Sequence, residues 1–396
     1  MSAPLAPSTS LSAAPGRIAT ATWFIAVILM CAAGIVLGLM WDISWHMTIG
    51  RDTFWAPPHM LEYASATVAG LLCGAVVLRT TFGPPTEDRA ATVRFWGFRG
   101  PLGAWITIWG TFAMLVSAPF DNWWHNAYGL DVKIVSPPHM VLFWGMLGIV
   151  VGALALTASA QNRSAGETDG LRDAWLYACA GGVLAFLCGS GSLEYSWPNE
   201  QHNWVFYAVW ALDFPLLLVG YSKVGRLKYP ATAAALVFML MWFGMGQVLP
   251  LFHGTPRLAP IWNPRTYLWA PYFPILLVVP AFGIDVVRRR LEGKSPWLIA
   301  PALGVTFVVL LLAVQWPMAS YMITDASHNR LFHGQEWPYT ARLAPWMHSF
   351  WATQRAPAAN PTLASILPGL GIAALIATVT SRIGLAWGGW MARVKR

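Results

Sequence analysis

Apolar runs of about 20 residues, the length a helix needs to cross a bilayer, recur from end to end of this 396-residue chain. Their repetition constrains the fold more than any motif does. A segment in lipid must satisfy its backbone internally, as a helix or as a closed barrel. The runs lie near residues 20–41, 59–80, 101–119, 139–160, 173–190, 204–222, 231–250, 269–287, 297–317 and 362–381. Only 11% of residues are charged, against roughly 25% in soluble proteins. The expected fold is therefore all-α, a polytopic integral membrane bundle of about ten transmembrane helices. Residues 1–18, rich in Ala, Ser and Pro, read as a disordered cytoplasmic tail. The run after them is too long for the apolar core of a cleavable signal.

The net charge of +8 bears on topology. Arg79, Arg89, Arg94, Arg99, Arg163, Arg172, Lys223, Arg226, Lys228, Arg288, Arg289, Arg290 and Lys294 all fall in one set of turns, together with the basic residues of both termini. The opposite turns hold fewer, among them Arg51, Lys133 and Arg265. Basic loops stay inside, so both termini are expected in the cytoplasm, and no nucleic-acid patch is seen. The cysteines, Cys31, Cys73, Cys179 and Cys188, lie within spans without a CxxC pair and read as packing residues. Many of the 24 tryptophans sit at span ends, as an interfacial aromatic belt does.

All nine histidines fall in or beside the extracytoplasmic turns of this topology. Four of them form a repeat. Residues 41–60, WDISWHMTIGRDTFWAPPHM, read Asp42-x3-His46-x12-His59; residues 120–140, FDNWWHNAYGLDVKIVSPPHM, read Asp121-x3-His125-x13-His139. In both copies Trp precedes the first His, and Pro-Pro precedes the last. An acid and a His at i and i+4 share a helix face, and Pro suits the first positions of the next helix. Each hairpin thus offers one carboxylate and two imidazoles. Three ligands with room for a fourth describe a reactive metal site; a structural site closes with four. Imidazole-rich sets suit copper, zinc, iron or nickel.

These residues carry a resemblance. Trp45-His46, Thr48-Ile49, Arg51-Asp52-Thr53, Pro57, His59 and Glu62 resemble the C subunit of the membrane-bound copper monooxygenases, the particulate methane and ammonia monooxygenase family. The likeness covers roughly residues 20–160. It implies copper, one or two ions, on Asp42, His46 and His59 and on Asp121, His125 and His139. Asp121 stands where that family usually has Asn, and the helix and loops that usually precede the first site are missing. The resemblance implies a bacterial cytoplasmic (inner) membrane protein with its metal sites on the extracytoplasmic side. It also implies partner subunits of the A and B type, dioxygen, and a small apolar or ammonia-like substrate. No cupredoxin-like soluble region is visible, and oligomeric state is left open, homo-oligomers included. Zinc and iron stay open as alternatives to copper.

Arg51 and Asp52 belong to the matched stretch and are expected to support the ligands, or to form a plain loop ion pair. Glu62, one turn after His59, is expected beside the ligands or as a proton relay, since intramembrane acids are seldom idle. Asp213 lies within a span and is expected either to pair with a polar group of another helix or to line a cavity. Glu194, His202, His328, His333 and His348 share the metal-site face and read as satisfied loop residues, or as groups that cap the sites. Residues 19–160 are expected as a four-helix region bearing both sites. Residues 161–396, without counterpart in the family, are expected as about six further helices with a long extracytoplasmic loop, 318–361. The function expected is that of a copper monooxygenase subunit. The rivals are a non-catalytic copper-binding or metal-handling membrane protein and, more remotely, a transporter with a metal-loading site.

Overall fold

The computed structural model describes residues 21–50, 54–84, 89, 92–128, 135–164, 170–196, 198–256, 265–337, 339 and 362–395. The tail 1–18, Arg51, Asp52, His348 and the side chain of Glu194 lie outside what is described.

The chain is a helical membrane bundle. In order run α1 (Thr22–Thr48), α2 (Pro57–Phe82), a hairpin of β1 (Val93–Phe95) and β2 (Phe98–Gly100), α3 (Leu102–Tyr128), α4 (Pro137–Arg163) and α5 (Gly170–Ser196). Then follow α6 (Trp204–Val224), α7 (Pro230–Val248), α8 (Val278–Arg290), α9 (Pro296–Met322) and α10 (Leu363–Met391). Among the described residues, nine of these helices are long and apolar enough to cross a membrane. The exception is α8, and it revises the run at 269–287. Residues 270–277 carry no helix, and only the second part of that run, from Val278, is helical.

An extended backbone inside a bundle must find partners for its amides and carbonyls. Here side chains supply them. Trp242 Nε1 donates to the Tyr272 carbonyl (2.7 Å), Trp337 Nε1 to that of Ala270 (3.0 Å), and the Leu276 amide donates to Gln315 Oε1 (3.0 Å). Gln315 in turn donates to Gln201 Oε1 (2.7 Å). The expected long loop is also shorter than its range, because α9 continues to Met322 and a 3-10 turn follows at Asp325–Ser327. Asp213 finds its partner on the neighbouring helix, accepting a hydrogen bond from Ser192 of α5.

Small residues set the closest helix pairs. On α1, a Cβ at Gly34 would lie 2.6 Å from Ser65 Oγ and one at Gly38 2.6 Å from Glu62 Cγ, so α2 rests on a glycine seam. The α3–α4 pair is tighter: a Cβ at Gly110 would meet the Ile149 amide nitrogen at 2.6 Å, and one at Gly103 the Gly152 carbonyl at 2.5 Å. Such seams let backbones approach where apolar driving force is absent.

Helices alternate in direction, so the ends of α2, α4, α6, α8 and α10 gather at one end. There Asn162 of α4 donates to the carbonyls of Met391 and Val394 (both 2.9 Å), and Arg288 of α8 donates to Ser222 of α6 (2.8 Å). The fully buried Asp285 accepts from the amides of Ala231 and Thr232, a carboxylate held at the start of α7, where the helix dipole favours negative charge. The β-hairpin, which the sequence reading did not anticipate, lies between α2 and α3 at this same end. Its turn places Trp96 (φ 47°) and Gly97 (φ 87°) in the left-handed region, as tight hairpin turns require. The ends of α1 and α3 and the starts of α2 and α4 meet at the opposite end.

Candidate metal centre

Helix α1 runs past its apolar core because nothing breaks it before Gly50. That glycine has φ 88°, and its amide returns to the Trp45 carbonyl (3.3 Å), the usual way a glycine ends a helix. Asp42 and His46 therefore occupy the last turns of α1. Helix α2 begins at Pro57, with Pro58 after it, so His59 lies in its first turn. The second hairpin repeats the plan. Helix α3 extends to Tyr128 and carries Asp121 and His125, while α4 begins at Pro137 and carries His139.

Each trio closes on its carboxylate. His46 Nε2 lies 3.5 Å from Asp42 Oδ2, and His59 Nε2 lies 3.2 Å from Asp42 Oδ1. In the second trio, His125 Nε2 lies 3.3 Å from Asp121 Oδ2 and His139 Nε2 3.6 Å from Asp121 Oδ1. Ligand atoms that share one ion at ~2.1 Å in a tetrahedral arrangement sit about 3.4 Å apart. The four distances lie around that spacing, with the two imidazoles of each trio facing different oxygens of one carboxylate, and the first trio's donor atoms are close enough together to suit one ion. Among the described residues, Asp42, His46 and His59 are the one set of three such groups whose donor atoms all lie within 4.8 Å of one another. The second trio is looser and more open: Asp121 is 34% exposed, Asp42 17%.

Spacing alone did not reveal that the two trios are neighbours. His139 of the second stands within electrostatic range of Asp42 in the first. Tyr63, on α2, feels Asp42, Asp121 and Glu62 together. Its hydroxyl lies 3.3 Å from Ser117 Oγ on α3, bridging the hairpins. Glu62 is buried in the α1–α2 seam against Gly38, one turn below Asp42. A tyrosine four residues after His59 is a signal the sequence held, but its reach across to α3 depends on helix packing.

The other described histidines lie outside the two trios. His202 is buried, and its Nε2 pairs with Ser320 Oγ at 2.9 Å, with the Trp316 ring set edge-on against the imidazole. His333 is also buried, in a left-handed backbone conformation (φ 54°). His328 lies 3.7 Å from the exposed Asp325, and His253 meets the Thr266 carbonyl at 3.0 Å. His202, His253 and His328 each meet a polar group outside the trios, while, among the described residues, His202 Nδ1 and His333 Nε2 are buried without a hydrogen-bond partner. The four cysteines are free thiols.

No family model, curated protein or solved structure matches this chain.

Proposed function

We propose that the chain is a subunit of a membrane copper monooxygenase, of the methane and ammonia monooxygenase C-subunit kind. The observation that carries this reading is the repeated trio: two Asp-x3-His helix ends, each met by a Pro-Pro-His helix start, with every imidazole 3.2–3.6 Å from its carboxylate. Asp42 with His46 and His59, and Asp121 with His125 and His139, would hold one copper ion each. Copper bound there would supply the one-electron steps that activate dioxygen, one oxygen atom entering a small apolar or ammonia-like substrate and the other leaving as water, with two electrons from an external reductant and two protons.

The chain's own residues do the rest. The two helix ends fix the carboxylate between the imidazoles and leave further positions open. Glu62, buried one turn below Asp42, holds a proton-exchanging group next to the site. The basic ends of α2, α4, α6 and α8 face the cytoplasm in this reading. The trios then face the extracytoplasmic side of a bacterial inner membrane, where partner subunits of the A and B type would meet them. A metal-handling role draws on one observation, the exposure of His46 (45%) and Asp121 (34%), which leaves either trio open to metal exchange.

The test is metal content and the copper EPR spectrum of the purified protein and of its His46→Ala and His125→Ala variants. Two copper ions per chain, with one lost in each variant, support the reading. Zinc, or no metal in any variant, sinks it. Full copper without oxygen-dependent turnover in the presence of the partner subunits leaves the metal-handling role.

A further inference from the structure

The non-helical segment before α8 does more than cross the bundle. Both polar backbone atoms of Trp269 are taken by one face of α1: Ser44 Oγ donates to the Trp269 carbonyl (2.6 Å), and the Trp269 amide donates to Thr48 Oγ1 (3.0 Å). Ser44 and Thr48 are buried, at 3% and 0% exposure. Each lies two residues after a ligand of the first trio, so it is turned ~200° away from that ligand around the helix. The grip is thus on the back of the turn whose front carries Asp42 and His46.

Trp269 is itself immobilised. Its ring packs on Trp337 at 3.5 Å between centroids, and Trp337 stacks on Tyr272 at 3.4 Å. The segment is tied to the loop after α9 by Arg265, whose guanidinium meets the buried Glu336 carboxylate at 2.5 Å, and by Tyr267, which donates to the same oxygen (2.8 Å). Gly254 closes against Thr48, where a Cβ would sit 2.8 Å from the Thr48 methyl.

We infer that Ser44 and Thr48, gripped by the Trp269 backbone, are positioning residues that hold the end of α1 in register for metal binding by Asp42, His46 and His59. The inference rests on the metal reading above, and it gives the segment around Trp269 a role at the first trio. The physical need is plain. The last turn of a helix has unsatisfied carbonyls and frays, whereas a metal site tolerates about 0.2 Å of ligand displacement.

The test uses the full chain in lipid nanodiscs and the double variant Ser44→Ala/Thr48→Val, with Thr48→Ser as the conservative control. Hydrogen exchange is followed over residues 42–49 and over 120–128. Copper affinity at each trio is titrated against a competing chelator. The double variant is expected to exchange faster over 42–49 only, and to bind copper at the first trio roughly 10- to 100-fold more weakly, as loss of ligand support does. The second trio and Thr48→Ser should match the parent. Unchanged exchange with unchanged affinity overturns the brace, as does equal weakening at both trios, which marks a general defect. Faster exchange over 42–49 in a protein whose parent takes up no copper refutes the metal reading itself, and the positioning role with it.

Discussion

With the trios holding metal as proposed, Gly110→Ala should empty the second while sparing the first. A Cβ at Gly110 would lie 2.6 Å from the Ile149 amide nitrogen, 2.7 Å from the Gly145 carbonyl oxygen and 2.9 Å from the Gly148 carbonyl carbon. All three are backbone atoms, so no side chain can rotate away. Ordinary contact begins near 3.4 Å, and α3 and α4 must part by about 0.8 Å to admit the methyl. Overpacking of this kind costs about 1–3 kcal/mol. The displacement is several times the ~0.2 Å that ligand distances tolerate. It acts on the two helices that carry Asp121 and His125 on one side and His139 on the other. The assay pairs thermal unfolding with metal analysis, and Gly371→Ala is the control, since a Cβ there meets nothing within 4 Å. In that open helical position alanine should be neutral or favourable by about 0.5–1 kcal/mol. If Gly110→Ala unfolds with the control and keeps its second metal, the close crossing does not set the site and the reasoning fails.

Other perturbations reach different parts of the molecule. Asp42→Asn should weaken metal binding more than Asp121→Asn, because Asp42 is less exposed and lies in range of His46, His59 and His139; parallel chelator titrations read the order. Gln315→Leu should destabilise the fold by about 1–3 kcal/mol, the cost of stranding a buried polar partner, since it removes the acceptor for Leu276 and the donor to Gln201. Equilibrium unfolding in mixed micelles measures this. Burial lowers the His202 pKa from its ordinary 6.5. The unfolded chain therefore takes up a proton first as pH falls, and stability is full above about 6.5 and declines below it. A His202→Gln variant should show a flatter loss between pH 7 and 5; an identical slope would assign the acid sensitivity elsewhere.

Much of the bundle is legible in the sequence because crossing a bilayer demands length and apolarity, and both can be read without knowing any partner. The trios were legible for a related reason: i, i+4 spacing and Pro-Pro starts are local rules, and the helices obey them at Asp42 and His46, Asp121 and His125, Pro57 and Pro137. Where a feature depends on contacts between distant segments, the local rules are silent. Hydropathy reads 269–287 as one more span, because it cannot see that Trp242, Trp337 and Gln315 will serve the backbone of its first part. It misses the hairpin at 93–100, too short to carry a pattern. It cannot place His139 near Asp42 or Tyr63 between the hairpins, for those follow from glycine seams whose depth is a matter of packing. Ser44 and Thr48 look like ordinary small polar residues of a helix end until Trp269 lies against them.

The half-helical eighth crossing also dictates the order in which the chain can be assembled. Helix α8 has 13 residues, about 20 Å of helix, against a hydrocarbon core of ~30 Å. The non-helical segment before it would enter lipid with bare amides and carbonyls if it left the translocation machinery alone. Two of its partners, Gln315 in α9 and Trp337 beyond it, are synthesised later, whereas Ser44, Thr48 and Trp242 are already in place. The eighth and ninth crossings must therefore be released into the bilayer together, against a waiting wall formed by α1 and α7. A chain truncated after residue 295 and released should keep its eighth segment in a protease-accessible state, and one truncated after residue 340, which includes both Gln315 and Trp337, should not.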